Sequence, residues 1–187
     1  MDIPLIILLT AGPIGAVDVI YFHLWKFRLF ERPESVKEEI THLLRGYLVP
    51  VATGILLLGR PEGGWFWLVF ALFVFDGLNS LLDVIFEPAS RAPRIVPPAE
   101  LSVHFFGVSL MGAAFATFML SGWGARHHAT ALTPHTGSFL PDAIFLLGFF
   151  GLAGATGLAS FEAYLFIRAI RRRAVALAQQ SHGRDTA

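Results

Sequence analysis

Five stretches of this 187-residue chain are long and apolar enough to cross a lipid bilayer, and that requirement governs everything else the chain can do. They cover residues 3–25, 36–59, 65–87, 100–123 and 141–170. A hydrocarbon core about 30 Å thick takes about 20 helical residues per crossing. Lipid offers no partner to an open backbone, and none of the segments alternates in the manner of a barrel strand, so each is expected to be a helix. Composition agrees: 55% hydrophobic residues, a mean hydropathy of +0.61, and 14 basic against 14 acidic side chains. Balanced charge leaves no basic face for nucleic acid. With no cysteine in the chain, disulfides, cysteine-ligated zinc or iron–sulfur sites and thiol catalysis are excluded.

Direction follows from the cationic flanks. Twelve lysines and arginines (Lys26, Arg28, Arg32, Lys37, Arg45, Arg91, Arg94, Arg168, Arg171, Arg172, Arg173 and Arg184) fall on one side of the five segments, and only Arg60 and Arg126 on the other. The sequence therefore predicts an all-α integral membrane bundle of five transmembrane helices, with the amino terminus outside and the carboxyl terminus in the cytoplasm of a bacterial inner membrane. Asp2 stands where a signal peptide would be basic, so the first segment is read as a retained span. Residues 61–64 read as a tight external turn, and the proline-punctuated stretch 87–98 as a cytoplasmic connection. One transmembrane domain, 1–173, is followed by a polar cytoplasmic tail, 174–187, expected to fray.

An ionisable group inside a span is costly and needs a partner. Here the topology gathers such groups at one depth, near the cytoplasmic face: Asp18 and His23 on the first span, Asp76, Asn79, Ser80, Asp83 and Glu87 on the third, Glu100 and His104 on the fourth, and Glu162 on the fifth. The apolar run of the second span, 46–59, covers only about 21 Å as a helix. Reaching across the membrane draws in Arg45, His42, Glu38 and Glu39. At about 100° per residue, Asp76, Ser80, Asp83 and Glu87 fall in one sector of about 60°, and Glu38, His42 and Arg45 in another. Glu100 and His104 are stacked four apart. Asp18 and His23 are about 140° apart on a regular helix, so only a local distortion brings both to one centre. Gly148, Gly151, Gly154, Ala155 and Ala159 lead along the fifth span to Glu162 and suit close helix packing.

Carboxylates and imidazoles converging from several helices are a ligand set for iron, manganese or zinc. The candidate metal ligands are Asp18, His23, Glu39, His42, Asp76, Asp83, Glu87, Glu100 and His104, with Tyr21, Asn79 and Ser80 as supporting donors. Glu39-Ile-Thr-His42 is an E-x-x-H, and in this the chain resembles the di-iron and di-manganese carboxylate helix bundles, where two helices give one Glu each and two others give Glu-x-x-His. The resemblance implies ligand roles for Glu39 and His42. It departs from the pattern at Glu100-Leu-Ser-Val-His104, which has one residue too many.

Purely structural pairings compete at several positions. Glu38 or Glu39 can pair with Arg45 or Lys37, Glu87 and Glu100 can be solvated beside their loop, and Glu162 is expected to pair with Arg168 or an arginine on a neighbouring span. The His boxes of membrane desaturases, G-x-S-x-G and H-E-x-x-H are all absent, and His127, His128 and His135 read as a solvated external loop. The leading expectation is a metal-dependent oxidoreductase, carrying iron or zinc and acting on a lipid-soluble substrate. Two alternatives stand beside it. One is b-type haem held by two of His23, His42 and His104. The other is a non-enzymatic ion or proton pathway, or an accessory subunit whose buried charges meet a second copy or another chain of a membrane complex.

Overall fold

A computed structural model describes residues 1–91 and 95–185; Arg94 of the expected inner connection lies outside the described residues. Five long helices carry the fold: α1 (Asp2–Val17), α2 (Val36–Leu58), α3 (Gly64–Phe86), α4 (Pro98–Gly122) and α5 (Asp142–Asp185). With their helical extensions, all five are long and apolar enough to cross a membrane. Their ends follow local chemistry. Pro98 lies in the first turn of α4, where its missing N–H is not needed. Gly59 closes α2. Pro13 and Pro50 sit inside α1 and α2, as bundle packing permits for helices of this kind. Helix α5 runs on to Asp185, so the stretch after Arg173 is helical where fraying was expected.

The helices form a ring in which α1 lies along α4, α4 touches α3, α3 lies along α2, and α2 lies along α5. Helix α1 closes the ring against α5 and α2. The α2–α5 contact is close because Gly46 has no side chain: a Cβ there would stand 2.9 Å from that of Ala159. Only part of the small-residue stripe of α5 is used this way. Gly148 faces Leu57, whereas Gly151 and Gly154 have open space beside them.

At one end the loops are clasped. Strand β1 (Arg60–Glu62) pairs antiparallel with β2 (Ala131–Thr133), and Pro61 stands opposite Leu132. The expected turn at 61–64 is thus a strand followed by a sharp reversal at Gly63, whose φ of 55° suits glycine. Asp2 joins the same end, accepting hydrogen bonds from Ser138 Oγ (2.9 Å) and the Phe139 amide (3.0 Å).

Inside, the bundle has two storeys. Beside the clasp the interior is apolar apart from Asp2 and Thr53, built from Leu5, Leu8, Leu56, Phe66, Val69, Phe118 and their neighbours, with the Phe66 and Phe118 rings stacked at 4.9 Å. Towards the other end, buried side chains are ionisable or amide on every helix. Large apolar side chains such as Leu120, Phe150 and Trp25 cover the outside.

Candidate metal centre

Helical periodicity explains most of the polar storey. Asp76, Asn79, Ser80 and Asp83 are buried on one face of α3, and Glu87 continues that face into the turn Glu87–Ser90. On α2, Glu38, Glu39 and His42 are buried within the first two turns, the depth its short apolar run requires. Helix α4 supplies Glu100 and His104 from one face, and α5 supplies Glu162.

The first span needs a different geometry, and it has one. After Val17 the backbone widens into a π-helix over Asp18–Lys26. Its i→i+5 hydrogen bonds set residues five apart one above the other, so Asp18 and His23 both face inward. The His23 ring, fully buried, lies 3.8 Å from that of His42, which lies 5.8 Å from that of His104.

Among the described residues, four groups of side chains have the spacing of metal ligands, each with one donor atom per residue and all those atoms within 4.8 Å of one another. They are Asp18, His23, His42 and His104; His23, Glu39 and Glu162; His23, Glu38 and Glu100; and Glu87, Glu100 and His104. Buried clusters of this kind could hold a metal ion.

Hydrogen bonds orient several of these groups. His42 Nε2 donates to Asp83 Oδ2 at 3.1 Å, and Thr41 Oγ1 donates to Asp83 Oδ1 at 2.6 Å. Thr41 is itself fixed by Asn79, whose amide donates to its carbonyl at 2.7 Å. An imidazole held by a carboxylate at one nitrogen presents the other to a metal. His104 stands between two carboxylates, with Nε2 2.9 Å from Asp18 and Nδ1 3.2 Å from Glu87.

Arg91, just after α3, is the cation that the sequence reading missed at this site. Its Nη1 and Nη2 donate to the two oxygens of Glu38 at 3.0 and 2.8 Å, and its Nε donates to Glu100 at 3.2 Å. A second bond reaches Glu100 from Nη2, Glu87 lies 3.7 Å away, and the guanidinium covers the Phe27 ring. Burial works against charge on Arg91, but its bonds to Glu100 and Glu38 outweigh that and raise its pKa above the ordinary arginine value. The signal in the sequence was a surplus of acid: three buried carboxylates at one depth require a cation, and Arg91 is four residues from Glu87.

Several expected pairings are corrected. Glu38 pairs with Arg91, not with Arg45 or Lys37. Arg45 instead lies 3.4 Å from Asp76, and Lys37 covers the Phe86 ring. Asp76 therefore belongs to none of the ligand-spaced groups, and Asp83 acts on His42 from outside them. Glu162 turns inward, its carboxylate 3.6 Å from His23 Nδ1, rather than pairing with Arg168. Glu87 and Glu100 are buried, not solvated. Tyr21 is exposed, and Ser80 donates to its own helix at the Asp76 carbonyl. In the clasp, His128 lies 3.2 Å from Glu62, and His135 bonds to the Leu56 carbonyl at 2.9 Å.

Unsatisfied atoms are concentrated at the centre, although single atoms of Asp2, Arg60, Asp76 and His135 outside it, and Oε1 of Glu87, are also buried without a hydrogen-bond partner. Both nitrogens of His23, both carboxylate oxygens of Glu39, and one oxygen each of Asp18 and Glu162 are buried without a hydrogen-bond partner. Each such group costs about 1–3 kcal/mol, and more if charged. Comparison with protein-family models, with curated proteins and with solved structures gives no match, so the chemistry rests on these side chains alone.

Proposed function

We propose that this protein is an integral membrane metalloprotein whose carboxylate and histidine centre lies near the cytoplasmic face and carries out oxidoreduction on a lipid-soluble substrate such as a quinone, an acyl chain or a terpenoid. The membrane placement is supported by the five long apolar helices, and the orientation by the twelve-to-two distribution of basic residues. The observation that carries the metal is the set of unsatisfied buried atoms on His23, Glu39, Asp18 and Glu162, all belonging to ligand-spaced groups.

Charge points the same way. Asp18, Glu38, Glu39, Asp83, Glu87, Glu100 and Glu162 face Arg91 and the imidazoles of His23, His42 and His104. With every group ionised, seven negative charges meet four positive ones. Arg91 answers Glu38, Glu87 and Glu100. The Arg91 cluster keeps two unmatched negative charges and Glu39 and Glu162 exceed His23 by one, so the surplus as a whole calls for cations, and the unsatisfied donor atoms lie with Asp18, His42 and His104 on one side and with Glu39 and Glu162 on the other, with His23 between. We assign these as two neighbouring metal positions. A cysteine-free nitrogen and oxygen set suits iron, manganese or zinc, and the carboxylate excess favours a redox pair of iron or manganese. Haem between His23 and His42 is disfavoured, because rings 3.8 Å apart leave no room for a porphyrin plane.

Total-metal analysis of the purified full-length protein, reconstituted with Fe(II), Mn(II) or Zn(II), tests the reading. Two equivalents are expected in the wild type and one in Glu162→Gln, with no haem absorption band. A folded protein that takes up none of the three ions overturns the metal centre. A strict preference for zinc overturns the oxidoreductase reading and leaves the metal centre standing.

A further inference from the structure

On the outer surface of the polar end, a cavity of about 360 Å³ opens between the turn Leu29–Glu31 and α5. Arg28, Phe30 and Glu31 form one wall; Leu165, Arg168 and Arg172 form the other. Two features build this site rather than leaving a loose basic flank. Arg173 Nη2 donates to the Phe30 carbonyl at 3.2 Å and ties the turn to the helix. Arg28 has φ 50° and ψ 52°, the only positive φ at a non-glycine position among the described residues. Such a backbone is sparsely populated and persists where the surroundings enforce it.

The charge in the cavity is unbalanced. Its one carboxylate, Glu31, is taken by Arg28 at 2.5 Å. Arg168 and Arg172, four apart on one helix face, have no carboxylate within ion-pair distance among the described residues. One and two turns above Arg168, Leu165 and the exposed Phe161 continue the same face into the apolar zone. Guanidinium forks below and an apolar rail above match a phosphate group carried on acyl chains.

We propose that this cavity binds the phosphate of an anionic phospholipid headgroup in the cytoplasmic leaflet. The assignment rests on the bilayer placement proposed above and is independent of the metal centre. The test uses native mass spectrometry of the full-length protein in detergent, with phosphatidylglycerol or phosphatidylcholine added. The wild type is expected to retain phosphatidylglycerol roughly tenfold or more above phosphatidylcholine, and Arg168→Gln/Arg172→Gln to lose that preference. Lys26→Gln/Arg171→Gln, which removes the same charge from outside the cavity, is expected to keep it. Equal losses in both variants, or no preference in the wild type, overturn the site. Displacement of the lipid by millimolar inorganic phosphate overturns the lipid source in favour of a free anion. Unchanged metal uptake and thermal unfolding in the double variant show that it has folded. Failure of the wild type to float with liposomes overturns the bilayer placement itself, whereas a floating protein indifferent to phosphatidylglycerol overturns the cavity alone.

Discussion

His42 has one nitrogen committed to Asp83 and the other without a hydrogen bond among the described residues, so its two nitrogens can be tested separately. His42→Gln retains a group able to reach Asp83 but offers no second nitrogen donor, and it is expected to lose metal while unfolding close to the wild type. A metal-replete His42→Gln protein removes His42 from the ligand set. Asp83→Asn acts one step further out. By weakening the acceptor behind His42 it is expected to lower metal affinity about 10–100-fold in chelator competition. Asp76→Asn, facing Arg45 instead, is expected to leave that affinity unchanged. Arg91 is a matter of stability. Arg91→Leu strands Glu38 and Glu100 in a buried position, for an expected loss of about 3–5 kcal/mol in denaturant unfolding, partly restored by Arg91→Lys.

The element that decides whether the centre closes is the π-helix of the first span. A π-bulge is equivalent to one extra residue in an α-helix, so removing a residue restores regular hydrogen bonding. Deleting the exposed Ile20 leaves Asp18 and the histidine four apart, still on one face. That variant is expected to keep its metal, whereas an alanine inserted after Ile20 sets them six apart and abolishes binding at the Asp18 position. Equal loss in both variants shows that the π geometry itself, and not merely the shared face, is required. This element also marks the boundary of what the sequence discloses. The burial of Asp76, Asp83, Glu38 and His42 was legible because each lies on a regular helix, where 100° per residue fixes the face. The convergence of Asp18 and His23 was legible only as a condition, since periodicity cannot announce its own failure. Arg91 and Glu162 escaped for another reason. A connection such as the one carrying Arg91 has no period, and Glu162 had candidate partners on both its own helix and its neighbours. Which one a carboxylate meets is settled by tertiary packing, here by the close approach of Gly46 to Ala159 that lays α5 against α2.

On the scale of the whole molecule, the two storeys make orientation and chemistry a single question. The clasp of β1 with β2 and the bonds to Asp2 collect the amino terminus and the connections α2–α3 and α4–α5 at the apolar end, whichever way the molecule is inserted. The basic residues break that symmetry. Arg60 and Arg126 are at the clasp, while Lys26, Lys37, Arg91 and the arginines of α5 follow the polar storey. A predominantly apolar storey on the outer side would insulate the centre from the exterior, so that protons and metal ions would reach it from the cytoplasm. A reporter fused after Gly63 or Thr133 is therefore expected to read external, and one fused after Arg91 or Gln180 cytoplasmic. An external signal at Gln180 inverts the bundle and moves the centre to the other leaflet. Its ligands would be unchanged, but the supply of metal and protons from the cytoplasm would be lost, and with it the argument for a centre loaded from that side.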